Sequence, residues 1–502
     1  MPFKEFTRNF KPLNIIPEEK VDYIYSGIMD VLANTGMLFE NTKALALLEK
    51  HGCKIDWDEQ KAYIPPALVE ECLRKCPGSF TIKARNPKNN VKIGGSRLNF
   101  MTYPGRMSVD LDTWEPRRAT RKEYYQAVTV LDALESLHML CAYTPWFEME
   151  NVPSAMAMPE SLAARLRNSS KVPMVGSLLE CDRFHLKMAE AAGTEIIQIA
   201  NTASPLALND DVIKMIYRLE SSDFVLVVGD GGNFSATAPA TVTGAVITGC
   251  AQMMGAIVLA KLIRPEARII ASNGMLQLNM RTGQPRFADV STPLHILASN
   301  QIWKIFDIPT FLLQSYNSKK IDFQQGYERM FMLLSNALAG IDIIGVHGTI
   351  SSEITHHPIQ AILDDDLAHI IGRFIEGVHV SEETAALDLI REVGPVPGSY
   401  LGSVHTRTWW QKEQFLPQTA DILTYDEWLD GDRKDCLDYA RERMDEIILN
   451  HKTDPALLPA EDEAIESILN EAKEYYRAEG HITNQEWEKY EKALKTPHYP
   501  YE

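Results

Sequence analysis

The stretch FVLVVGDGGNFSATAPATVTGAVITGCAQ, residues 224–252, starts as a strand and ends as a helix. Its opening run, FVLVV, is short, apolar and β-branched, which reads as a strand buried on both faces. The turn Gly229-Asp230-Gly231-Gly232-Asn233 is expected to use positive φ values that glycine adopts without strain. The Ala, Thr and Gly run behind it is expected to be helical, with Pro239 in the first turn, where a missing N–H costs nothing. Two phosphate-binding motifs begin in this way, and neither is present. A dinucleotide fingerprint needs G-x-G-x-x-G opening the helix and an acidic residue further on, and a P-loop ends in Gly-Lys-Ser/Thr. The segment is therefore a strand–turn–helix unit without a phosphate cradle.

The same unit repeats through the middle of the chain. Candidate strands are RLNFMTY, HMLCAYT, VPMVGS, EIIQIAN, FVLVVGD, RIIASNG, TFLLQSY and IDIIGVHG, each followed by a segment of helical period such as RKEYYQAVTVLDAL or DFQQGYERMFMLLSNALAG. Strands alternating with helices pair in parallel. Eight such units within about 280 residues predict a closed (β/α)8 TIM barrel, an α/β fold, over 96–380. Residues 1–95 read as an N-terminal cap of helices and short strands. Residues 381–502 read as an irregular and then helical extension, with PAEDEAIESILNEAKEYYRAEG as a solvated helix.

Composition excludes several functions. Among 502 residues the formal net charge is −18, the wrong sign for a nucleic-acid partner, which requires clustered Lys and Arg. The N-terminus MPFKEFTRNFKPL has no apolar signal core, and no uninterrupted apolar run of membrane length is evident, so a cytoplasmic protein is expected. No metal site is expected either. His356 and His357 are adjacent, and Cys72 and Cys76 lack a second pair at zinc-like spacing.

In a barrel of this type the chemistry sits at the C-terminal strand ends. There the sequence places Tyr103 and Arg106; Tyr143, Trp146 and Phe147; Asn201; Asp230 and Asn233; Asn273 and Gly274; Gln314, Ser315 and Tyr316; and His347. Aromatic residues from three strand ends suggest a cage for a cation, held through the ring quadrupoles. Arg106 is a candidate to pair with a carboxylate, and His347 to donate a hydrogen bond.

Several stretches resemble the trimethylamine:corrinoid methyltransferase superfamily, in particular its members without pyrrolysine. They are GCKIDWDEQKAYIPPALVEECLRKCPGSFTIKARNP, GDGGNFSATAPATVTGAV, DFQQGYERM, VGPVPGSYLGSVHT and FLPQTADILTYDEWLDGD. The resemblance implies a barrel that moves a methyl group from an amine to the cobalt of a separate corrinoid protein. It also implies a homo-oligomer. The founding members use pyrrolysine to hold a tertiary amine, and this chain has none. The expected substrate is then a quaternary amine, glycine betaine first, with proline betaine or carnitine as relatives. Catalysis would be by positioning. The expected substrate contacts are Tyr103, Arg106, Tyr143, Trp146, Phe147, Asn233, Gln314, Tyr316 and His347, with the Lys319–Lys320 pair as a further partner for a carboxylate. No cofactor is expected to be bound tightly, and the cobalamin would arrive with the partner, since the chain lacks D-x-H-x-x-G. Two other readings remain open: an aldolase-type lyase using Lys319 or Lys320 as a Schiff base, and a non-catalytic partner of a corrinoid protein.

Overall fold

Runs of β-branched and apolar residues place eight parallel strands in the middle of the chain, in a computed structural model that describes residues 4–220, 222 and 224–494. They are β1 (Arg97–Thr102), β2 (Leu137–Leu140), β3 (Val172–Val175), β4 (Ile197–Asn201), β5 (Val225–Gly229), β6 (Arg268–Ser272), β7 (Phe311–Leu313) and β8 (Ile343–His347). Each pairs with its sequence neighbour and β8 pairs with β1. The bridge between Ala271 and Thr310 joins β6 to β7 and completes the ring. The expected (β/α)8 barrel is thus the fold, and seven of the eight strands lie within the segments read from sequence, β2 beginning one residue earlier, at Leu137.

The strands are followed by α1 (Arg121–Ala133), α2 (Ala157–Asn168), α3 (Asp182–Ala191), α4 (Asp210–Arg218), α5 (Val242–Ile263), α6 (Ser291–Trp303), α7 (Phe323–Ala339) and α8 (Pro358–Glu376). Local chemistry starts several of them. Thr120 and Glu123 form a capping box on α1, Asp322 caps α7 through the Gln325 N–H, and His357 caps α8 through the Ile359 N–H. Pro239 lies before α5, which begins only at Val242, because Thr241 supplies the side-chain cap to the Gly244 N–H.

Helix α5 is apolar on every face because it is packed on every face. By length and composition it is long and apolar enough to cross a membrane, yet 78% of its most apolar window is buried in protein. One side lies on the barrel, and the other receives the N-terminal helices Glu18–Asp30 and Pro66–Arg74. The residues before the barrel are tied to it elsewhere too. Phe6–Thr7 pairs antiparallel with the start of β1. The hairpin Ser79–Ile82/Val91–Gly94 puts Ile82, Val91 and Ile93 into the interior cluster with Met101, Met139, Val225 and Ile343, plugging the end opposite the mouth.

The C-terminal helices return to the outside of the barrel. Helix Pro459–Ala478, expected to be solvated, buries Ile465, Leu469, Ala472 and Tyr476 against α2 and α3. Its charged residues hide an apolar stripe at helical spacing, which corrects the expectation. Tyr490 of the last helix donates to Glu160, which pairs with Arg121 at 3.0 Å. By contrast, among residues 378–435 Thr419 alone is buried, although the segment carries apolar side chains such as Val396, 93% exposed, and Leu401, 89% exposed.

Candidate functional site

Two small ribbons, built from loops after the strands, frame the barrel mouth. In the first, the loops after β1, β2 and β8 are laced together. The Gly105 N–H donates to Pro145 O, Phe147 N–H to Gly105 O, Arg106 N–H to Glu353 O and Met107 N–H to Ile354 O. In the second, Asn233–Phe234 after β5 lies parallel to Leu276–Leu278 after β6, which turns back through Pro285–Arg286. Between them lies a cavity of about 280 Å3 that reaches into the barrel. That is just under the range of about 300–1,000 Å3 usual for ligand pockets, so it suits a small molecule.

The cavity wall is made of aromatic rings, neutral polar groups and two acids. Tyr103, Phe287 and Phe311 supply the rings; Asn201, Ser272, Gln314 and Ser315 supply hydrogen-bonding groups; Asp230 and Glu353 supply the carboxyls. Asp230, 6% exposed, follows β5 in the glycine-rich turn 229–233. Its Oδ2 accepts from Asn273 Nδ2 at 3.0 Å and its Oδ1 from the Gly274 N–H. Asn273 is fixed in turn by accepting from Trp303 Nε1. Burial lifts the Asp230 carboxyl to about 6, against the opposing pull of the Gly274 and Asn273 hydrogen bonds. Glu353 stands on the exposed rim with its carboxylate turned inward, where Oε1 accepts from the Tyr103 hydroxyl at 3.3 Å. The same hydroxyl lies 2.6 Å from Ser315 Oγ. Surrounding protein raises the Glu353 carboxyl from its ordinary value, with the Tyr103 bond opposing.

None of Gly229, Gly231 and Gly232 adopts a positive φ; Gly229 and Gly232 serve close approach, whereas a Cβ on Gly231 would meet open space. A Cβ on Gly229 would stand 2.5 Å from Asn201 Oδ1, and one on Gly249 of α5 would stand 2.3 Å from Asp230 Oδ2. The small residues of this helix leave room for the carboxyl.

The sequence profile of the family described as trimethylamine methyltransferase (MTTB) matches residues 1–475. The chain belongs to this family. It is 26% identical over 470 residues to the glycine betaine methyltransferase of Desulfitobacterium hafniense strain Y51, covering 91% of this chain and 96% of the relative. It is also 26% identical over 481 residues to the trimethylamine methyltransferase MttB of Desulfitobacterium hafniense strain DSM 10664 / DCB-2, covering 91% and 94%. Among solved structures, the Methanosarcina barkeri monomethylamine methyltransferase (MtmB) aligns with a TM-score of 0.49 at 11% identity, covering 86% of this chain and 89% of that one.

For a methyltransferase of this family, the residues expected at the substrate divide sharply. Tyr103 and Gln314 line the cavity; Gln314 is oriented by the Asn336 amide. Tyr143 stands beside them, close enough to Glu353 for that carboxylate to help burial push its hydroxyl up, and its ring packs edge-on against Phe147 at 5.5 Å. Neither Tyr143 nor Phe147, nor any of the remaining five, lines the cavity. Arg106 is 65% exposed and bonded to Glu148, which also takes Arg118 at 3.1 Å; the ribbon turns it away from the mouth. Trp146 donates to His356 O at 2.7 Å and packs on Tyr124. Tyr316 is fully buried under the Arg329 guanidinium, 4.3 Å from its ring centroid, so an internal cation already occupies that face. His347 points between sheet and helices, where Nε2 meets Ser136 Oγ at 3.0 Å and burial drives its pKa far down. Asn233 is held in the outer ribbon, its N–H bonded to Thr237 Oγ1 at 2.8 Å. Lys319 bonds Asn317 O at the surface, and Lys320 is exposed. Neither Lys319 nor Lys320 lines the cavity, which removes the geometric basis for a Schiff base there. Phe287, Phe311 and Glu353 were not singled out from sequence. Phe311 is legible as an inward position of β7; nothing local marks Phe287 or Glu353.

Proposed function

We propose that this protein transfers a methyl group from a quaternary amine to cobalt(I) carried by a cognate corrinoid protein, in the cytoplasm. The observation that carries the proposal is the composition of the mouth cavity: three aromatic rings and two carboxyls around a space of about 280 Å3. Ring faces and carboxylates both attract a permanent cation. The cobalt is an acceptor substrate brought by the partner, and this chain's work is to hold the methyl carbon in line with it. In the transfer the N–CH3 bond breaks and its electron pair stays on nitrogen. The cobalt donates the pair that forms the new Co–C bond, and a neutral tertiary amine departs. A quaternary nitrogen already carries the charge that makes it a leaving group, so no proton donor is needed.

Exposed apolar side chains on the rim, among them Met280, Val290, Phe323 and Ile354, give the partner a surface on which to dock over the mouth. The exposed apolar residues of 378–428 favour a homo-oligomer. Similarity to a glycine betaine methyltransferase makes glycine betaine the first betaine to assay, with proline betaine and carnitine beside it. The test is the visible spectrum of the corrinoid protein, reduced to cobalt(I) and mixed with enzyme and one amine at a time. Conversion to methyl-cobalt(III) with quaternary amines but not with trimethylamine is expected. Conversion with trimethylamine alone would overturn the proposal.

A further inference from the structure

Resting on that proposed methyl transfer, we infer that the substrate is a quaternary ammonium ion without a carboxylate, of the choline or tetramethylammonium kind, and not a betaine. Three observations on the cavity point there together. First, two carboxylic acids line it, Asp230 and Glu353, and among the described residues no Lys, Arg or His does. Second, neither acid has a basic partner among the described ion pairs and hydrogen bonds: Asp230 is held by the neutral Asn273 amide and the Gly274 N–H, and Glu353 by the Tyr103 hydroxyl. Third, the cations that a betaine carboxylate would need are committed elsewhere. Arg106 is bonded to Glu148, and Arg329 is bonded to Asp364 at 2.6 Å behind Tyr316.

A carboxyl taken out of water without a cation is costly. Asp230 sits in that condition in a closed wall, with Gly249 leaving the space that lets it stay. A permanent cation in the cavity would relieve that cost for Asp230 and pair with Glu353 at the rim. A betaine would bring its own carboxylate into the same small space, facing two like charges with no Arg or Lys to receive it. The side-chain amides of Asn201 and Gln314 carry both a donor and an acceptor, so they can meet the alcohol of choline, which both gives and takes a hydrogen bond. The charge on the wall therefore separates substrates that share the same trimethylammonium head.

The test needs no corrinoid partner in its first arm. Calorimetric titration of the full-length protein with tetramethylammonium, choline and glycine betaine should show the two simple cations binding at least tenfold more tightly. Glu353→Gln, a rim substitution outside the packed core, should weaken tetramethylammonium at least fivefold and leave glycine betaine unchanged or improved. Glycine betaine binding as tightly as choline, or Glu353→Gln weakening all three alike, would overturn the inference. The second arm is methyl-cobalt formation with the same amines. Faster transfer from glycine betaine than from choline sinks the inference and leaves the proposed function standing. Tight cation binding without methyl transfer from any amine, in the presence of a competent corrinoid protein, sinks the proposed function and leaves the cation preference standing.

Discussion

Asp230→Asn isolates the charge at the centre of the site, and its effect on stability should depend on pH. In the folded protein the Asp230 carboxyl titrates at about 6, compared with an ordinary value of 3.8. Between those values the folded chain keeps a proton that the unfolded chain has released, so this group makes stability fall as pH rises. Its contribution is intact below the lower value and lost above the higher one. At about 1.4 kcal/mol per pH unit, the full loss is about 3 kcal/mol, of which about 2 kcal/mol falls between pH 4.5 and pH 8. Asparagine carries no such term. It does turn an N–H toward the Asn273 amide, which cannot flip without giving up Trp303. That lost hydrogen bond costs about 1–2 kcal/mol at every pH. The difference between variant and wild type should therefore swing by about 2 kcal/mol in the variant's favour from pH 4.5 to pH 8. Asp364, also lifted to about 6 by burial, titrates in both proteins and cancels. Denaturant unfolding of the two proteins at a series of pH values measures the swing. A difference constant to within about 0.5 kcal/mol would refute an uncompensated buried carboxyl at this position.

Gly249→Ala places a methyl group 2.3 Å from Asp230 Oδ2; overpacking of this kind costs about 1–3 kcal/mol. Thermal unfolding should show that loss, and calorimetry should show weaker binding of quaternary cations; unchanged binding would mean that Asp230 can move without consequence. Asp364→Ala strands the buried Arg329 guanidinium and should cost about 3–5 kcal/mol, measured by denaturant unfolding, whereas a surface pair would show almost nothing. Arg106→Ala should change stability by no more than about 1 kcal/mol, since its partner Glu148 is shared with Arg118 at the surface. Its kcat/KM for every quaternary amine should stay within about twofold, and selective loss of betaine use would restore Arg106 as a carboxylate clamp.

The barrel was legible because each strand needs a short apolar run and each helix a 3.6-residue stripe, and those periods do not depend on distant neighbours. Helix Pro459–Ala478 reads as solvated in sequence because its one apolar stripe is diluted by charge. The site was half legible for a different reason. Strand ends locate the loops, but successive side chains point to opposite faces. A shift of a residue or two therefore decides between a cavity ring, as at Tyr103 and Phe311, and a ring packed under a helix, as at Tyr316. Arg106 was misplaced by something no local pattern carries, the lacing of its loop to Glu353 and Phe147. Asp230 was in view as a strand-end residue. Its importance depends on what is missing around it, and only the assembled wall reveals that.

Single turnover with a quaternary amine bearing trideuterated N-methyl groups follows the transferred methyl group itself. The enzyme, its cobalt(I) corrinoid partner and trideuteromethyl-labelled choline are mixed in equal amounts, and both products are followed by mass spectrometry. Methyl transfer from the quaternary amine should put one trideuteromethyl group on cobalt for each tertiary amine released. Amine consumed with no label on cobalt, or cobalt left unmethylated while the labelled amine stays bound, would contradict it.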